Sequence, residues 1–208
     1  VPMIVVLSII GIVYGALAAM AQSDWKRLLA YFSLSHLAMA TLGLFALTPL
    51  GITGSILQQI NHGISIAALF LLVGMVDERR HTRTIAEYSG LAQVMPVCAV
   101  TFVVMAMSSI GLPALNGFVG QALILRGVFA VNRWWAVAGA SGLALGAAYM
   151  LWLSRRTLYG KTGVLESGRA PDLSLRDYVT CAPLVALALW IGLYPTPVLD
   201  RLTHPVTK

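Results

Sequence analysis

GLPALNGFVGQALIL, residues 111–125, closes the apolar segment 91–125, whose 35 residues are all uncharged. As one straight helix that run would reach about 52 Å, well beyond a hydrocarbon slab about 30 Å thick. The excess length coincides with helix-interrupting residues. Pro113 cannot donate to the helical ladder, and it biases Leu112 away from helical geometry. Gly111, Gly117 and Gly120 lower the cost of a bend or allow close packing. The stretch therefore predicts a broken helix, interrupted near 108–116, with helical halves on either side. Lipid cannot satisfy the backbone groups freed at such a break, so protein or a wet cavity must surround it. A plain proline kink is the structural alternative; a discontinuous helix marking a transport site is the functional one.

Composition places this segment in a membrane. Of 208 residues, 58% are hydrophobic and 11% charged, and the mean hydropathy is +0.81. So little charge cannot cover so much apolar surface in water, which argues against a soluble domain. The net charge of +6 does not signal nucleic acid, because the basic residues form short groups beside apolar runs. Cys98 and Cys181 lie in apolar stretches without His or Cys at ligand spacing, and read as small buried thiols. The start, Val1-Pro2-Met3, has no basic region or small-residue cleavage signal, so no signal peptide is expected. Its abrupt entry into an apolar run suggests material that precedes it or is supplied by another chain.

Six hydrophobic segments follow: 3–21, 28–48, 52–76, 91–130, 134–154 and 178–199. The uninterrupted ones hold about 19 to 25 residues, enough to cross the slab. The expected fold is an all-α integral membrane protein of six transmembrane helices, the fourth broken. Ten of the 14 Lys and Arg residues fall on the side reached after the first segment and four on the other. The positive-inside rule makes the first side cytoplasmic, with both termini outside and 155–177 a cytoplasmic loop. This bias requires 91–130 to cross once. Asp24-Trp25-Lys26-Arg27 reads as an interfacial aromatic beside cytoplasmic charges. Ser174 and Asp177 are placed to cap the last helix, and Pro195 and Pro197 to end it.

All eight acids lie in loops or at span boundaries. The polar exceptions within the spans concentrate in the second and third segments: Ser33, Ser35 and His36, then Gln58, Gln59, Asn61, His62 and Ser65. His36 and His62 fall near the centres of their segments. Gln58, His62 and Ser65, at i, i+4 and i+7, share a helical face. Side chains at this depth should face the bundle or water. Histidine suits proton transfer, since its two nitrogens can take and release a proton on different sides. A hydrogen bond to a neighbouring helix explains either histidine equally well. Two histidines on separate helices offer no metal-ligand spacing. Asn116 and Gln121 can hold water or polarise a partner, but they cannot store a proton. No G-x-G-x-x-G or G-x-x-x-x-G-K-[ST] motif and no iron–sulfur cysteine pattern occurs, so no cofactor site is expected in this chain.

A wider pattern runs through most of the chain in order. It comprises IGIVYGALAAMAQSDWKRLLAYFSLSHL at 10–37, INHGISIAALFLLVGMVDERRHTR at 60–83, YSGLAQVMP at 88–96, GLPALNGFVGQALIL at 111–125 and LYPTPVLD at 193–200. These stretches resemble the C-terminal part of the M-type subunits of NADH-quinone oxidoreductases (respiratory complex I), equivalent to mitochondrial subunit 4. That family is related to the large subunits of multisubunit Na⁺/H⁺ antiporters and to membrane subunits of energy-converting hydrogenases.

The resemblance implies a proton-translocating role in the bacterial inner (plasma) membrane, with these segments the last six of a fourteen-helix antiporter-like fold. His36 and His62 map onto the histidines of its central polar axis, while Asn61 occupies a more variable place. Where the family usually reads N-G-F-V-G-E, this chain ends in Gln121, so the bend is kept and the titratable relay is missing. The resemblance puts NADH, FMN, iron–sulfur clusters and quinone in partner subunits only. It makes other membrane subunits, lipid and a companion chain supplying the earlier spans the expected partners, with no nucleic acid. A truncated product, a split subunit and a piece of a longer chain all fit the missing half. The proton-path candidates are His36, His62, Gln121, Gln58, Ser65 and Asn116, with Gly111, Pro113 and Gly117 making the break. Two alternatives stand beside the proton-translocating subunit: a cation/proton antiporter or hydrogenase subunit, and a structural or degenerate fragment that does not transport.

Overall fold

Apolar runs become helices here because lipid offers their backbone groups no partner, and polar residues cap several of their ends. The computed structural model describes residues 1–159 and 172–206, with side chains through Thr203. Helix α1 (Pro2–Met20) begins on a proline, at a position that needs no backbone donor. Helix α2 (Trp25–Phe45) is capped by Asp24, whose carboxylate accepts from the Arg27 N–H at 2.9 Å. Helix α3 (Pro49–Arg80) combines the Thr48 cap with Pro49 in its first turn. A short 3₁₀ turn (Ile85–Glu87) leads into α4 (Leu91–Val94) and then α5 (Pro96–Ser109). Helices α6 (Asn116–Val131), α7 (Arg133–Leu158), α8 (Leu175–Leu193) and α9 (Thr196–Val206) complete the described chain. Ser174 and Asp177 form a reciprocal capping box at the start of α8.

The result is an all-α bundle of several apolar helices. By length and composition α1, α2, α3, α7 and α8 can each cross a membrane, while α5 and α6 are shorter apolar helices. Helix α3 is central and packs against α2, α5, α6, α8 and α9. Helix α1 lies along α2 so closely that a Cβ at Gly15 would come 2.8 Å from the Ser35 backbone nitrogen. The Ser35 hydroxyl donates to the Ile12 carbonyl across this contact at 2.8 Å, which fixes α2 one residue from His36.

One end of the bundle is tied by charge. Lys26 and Arg83 both donate to Asp77, at 2.7 and 2.8 Å, and Arg79 pairs with Asp177 at 2.5 Å. Asp77 lies just past residue 76, where the third segment read from the sequence ends. The hydrogen bond from Lys26, then that from Arg83, holds its carboxyl below the usual carboxylate range. Asp172 accepts from the Val97 and Cys98 N–H groups and so caps α5 from outside that helix. Cys98 and Cys181 are buried free thiols.

Three details differ from the sequence reading. Trp25 faces protein and not lipid or water: it is 1% exposed, edge-on to Tyr88 at 5.1 Å and Phe102 at 5.3 Å. The link after α3 folds back over it, anchored by the Tyr88 hydroxyl, which donates to the Thr82 carbonyl. Helix resumes as α9 at Thr196, because Pro197 sits in its first turn where a missing N–H costs nothing. The loop expected over 155–177 is shorter at both ends, since α7 runs to Leu158 and α8 starts at Leu175. Its central part, 160–171, lies outside the described residues.

Candidate functional site

Two polar centres lie inside the bundle. The first joins α2 and α3 through unbroken helix. The His36 and His62 rings stack, with centroids 5.4 Å apart and planes inclined by 17°. The Ser33 hydroxyl lies 2.8 Å from His62 Nε2, and the tautomer decides which of the two donates. Phe32 covers the pair, 4.2 Å from the His36 ring and 6.3 Å from that of His62. Tyr149 of α7 stands edge-on to Phe32 at 5.9 Å, its hydroxyl buried without a hydrogen-bond partner. Both histidines are buried, at 4% and 5% exposure, so their rings contact protein and not lipid. Each imidazole has a donor and an acceptor nitrogen, and because the rings stack without a hydrogen bond between them, a proton crossing from one helix to the other needs a bridging group.

The second centre is the interruption between α5 and α6. Helix α5 stops at Ser109, and residues 110–115 link it to Asn116. The stop is a Schellman motif: the Leu112 N–H donates to the Met107 carbonyl at 3.0 Å, and the Gly111 N–H to that of Ser108 at 3.2 Å. Gly111 occupies its left-handed position at φ +82°, where a side chain would be strained. Pro113 follows in the link, so it bars continuation while glycine makes the turn. Gly117 passes so near the Ser108 carbonyl that a Cβ would collide with it.

Hydrogen bonds knot this break to α3. Asn61 Nδ2 donates to the Asn116 carbonyl at 2.7 Å, and Asn116 Nδ2 donates back to the Asn61 carbonyl at 3.3 Å. The Ser108 and Ser65 hydroxyls both donate to Asn116 Oδ1. Gln121 Nε2 donates to the Ser109 carbonyl at 2.9 Å. Gln58 packs against Gly120, and its Oε1 is buried without a donor. Among the described residues, no hydrogen bond joins Gln121 or Gln58 to either histidine. Nor is any group of three His, Cys, Asp or Glu placed to hold a metal ion.

Residues 1–146 match the transmembrane family described as NADH:quinone oxidoreductase/Mrp antiporter. The chain belongs to that family. NADH-quinone oxidoreductase subunit M of Rhodobacter capsulatus is 44% identical over 94% of this chain and 38% of its own length. A chain of respiratory complex I from Thermus thermophilus with bound NADH superposes with a TM-score of 0.91. It is 33% identical over 99% of this chain and 43% of its own. A chain of the Mrp complex from Dietzia sp. shares the fold, with a TM-score of 0.87 at 22% identity over 98% of this chain and 46% of its own. The chain thus spans about two fifths of the R. capsulatus subunit (38%). As a member of this transmembrane family, with five described helices long and apolar enough to cross a membrane, the chain is a multi-pass membrane protein.

All six proton-path candidates are buried, and the structure divides them between the two centres. His36 and His62 form one, and Ser65, Asn116 and Gln121 belong to the other. Gln58 stands one turn from His62 and touches α6 at Gly120. Sequence reasoning noted Asn61 but left it out of the path candidates; it is fully buried and makes the reciprocal bond to Asn116. Its spacing from Gln58 and Ser65, three and four residues, is a signal that puts it beside their face. It also passed over Ser108, Ser109 and Tyr149. The Ser108-Ser109 pair just before Gly111 was a usable signal, since hydroxyls beside a break can satisfy freed backbone groups.

Proposed function

We propose that the chain is a proton-translocating section of an M-type subunit of a quinone-reducing NADH dehydrogenase complex. In this reading it works beside other membrane subunits, with further spans of the fourteen-helix fold supplied outside the 208 residues. Helices α5 and α6 cross the membrane together as one interrupted rod, giving six crossings with both termini outside. At 14 and 16 residues, α5 and α6 measure about 21 and 24 Å, each too short alone for a slab about 30 Å thick.

The observation that carries the reading is the stacked His36–His62 pair, buried at mid-span, with His62 hydrogen-bonded to Ser33. Protons pass between these imidazoles through a bridging group, and water bridges the intervals to Gln58, Ser65, Asn116 and Gln121. Gln121 has no proton to release, so conduction past the interruption is weak. Redox chemistry belongs to partner subunits. The test is proton uptake by proteoliposomes holding the chain assembled with its membrane partners. Replacing His62→Leu should lower uptake on the order of a hundredfold, the scale of a lost proton-transfer group. Unchanged uptake would overturn the reading, and Na⁺-dependent exchange would reassign the chain to an antiporter.

A further inference from the structure

A Schellman stop satisfies some terminal carbonyls of a helix and leaves others without a donor. At the end of α5 the link's own N–H groups take the Met107 and Ser108 carbonyls, and the Ile110 N–H takes that of Ala106. The Ser109 carbonyl receives its donor from another helix, the Gln121 amide at 2.9 Å. The other end of that amide, Oε1, lies tight against Gly111, so that a Cβ on Gly111 would strike it. One side chain from the second turn of α6 therefore touches the last residue of α5 and its left-handed turn. The other donors around the break are hydroxyls and amides: Ser65, Ser108, Asn61 and Asn116.

We propose that Gln121 is a positioning residue, a permanent donor that braces the interrupted α5–α6 rod in one geometry whatever the protonation of its surroundings. An amide keeps its N–H at every pH, whereas a carboxyl group at the same place donates only while protonated. The groups that meet Gln121, the Ser109 carbonyl and the Gly111 backbone, are uncharged. On neighbouring α3 the titratable side chain beside this level is His62, one turn from Gln58, with His36 of α2 stacked on it; Asp77, Glu78, Arg79 and Arg80 lie at the far end of α3. The interruption in this chain is thus a fixed section of the path and not a protonation-driven gate. This deepens the proposed function and rests on it only in taking the rod as membrane-crossing.

Hydrogen–deuterium exchange of the whole chain in lipid nanodiscs tests the brace without measuring conduction. Gln121→Met keeps the length and removes the donor. It should cut protection of the Ile110, Gly111 and Leu112 amides about tenfold relative to the unaltered protein at the same pH, while α3 amides stay unchanged. Gln121→Glu should match the unaltered protein at low pH and the methionine variant at high pH, as ionisation removes its hydrogen. Should the methionine variant fail to fold, the two pH arms of the glutamate variant carry the test within one protein. Native protection in Gln121→Met, or in Gln121→Glu at every pH, would overturn the brace. Failure of proton uptake with the brace intact would count against the proposed function alone.

Discussion

The histidine pair and the α5–α6 interruption are both buried and polar, yet they are built in opposite ways. His36 and His62 project from helices whose backbones satisfy themselves, so their side chains are free for exchange. At the interruption the helix stops, and Asn61, Asn116 and Gln121 donate to backbone carbonyls around it while Ser108 donates to the Asn116 side chain. One centre holds titratable imidazoles; the other holds amides and hydroxyls that bond across the stopped helix. Polar burial alone does not identify a proton carrier. What matters is whether the side chain is already committed to the backbone.

The sharpest way to break this comparison is to remove titration from the first centre. Replacing His36→Leu and His62→Leu together should abolish uptake to background, a fall on the order of a hundredfold or more. The bundle should persist, because leucine fits an apolar, membrane-buried site. At the second centre stability should suffer first. Asn116→Leu removes the acceptor of two hydroxyls and one bond to the Asn61 carbonyl, and should destabilise the protein by about 2 kcal/mol in denaturant unfolding. Ser65→Ala, at the edge of the same knot, should cost about 0.6 kcal/mol, the usual scale of one hydrogen bond between membrane helices.

The smallest effect lies at the charged end. Pairing depresses the Asp77 carboxyl in the folded state, so its contribution is complete above the unfolded value of about 3.9. It is lost as pH falls through the lower folded value. Acid unfolding of Asp77→Asn should therefore lack a small component present in the unaltered protein. Identical acid profiles would show that the ion pairs with Lys26 and Arg83 contribute nothing.

Much of this architecture was legible in the sequence. Run length and apolar content gave the helices, and the i, i+4, i+7 spacing put Gln58, His62 and Ser65 on one buried face. The Ser174–Asp177 capping box could be read from two residues because its geometry is local. Long-range contacts were not legible. Nothing in the order of residues says that Tyr88 and Phe102 enclose Trp25, or that Asp172 caps α5 across more than seventy positions. The bond from Gln121 to Ser109 was hidden for the same reason. Composition showed that an amide cannot store a proton; only the fold shows what that amide holds.

Residue 121 belongs to the second centre but stands where the resemblance expects a titratable glutamate, and proton uptake by Gln121→Glu proteoliposomes is the direct test. If conduction is limited by the missing titratable group, the glutamate variant should take up protons faster than the unaltered protein. It should do so only while His36 and His62 are present. Unchanged flux would contradict the account, since residue 121 would then not be the limiting element of the path.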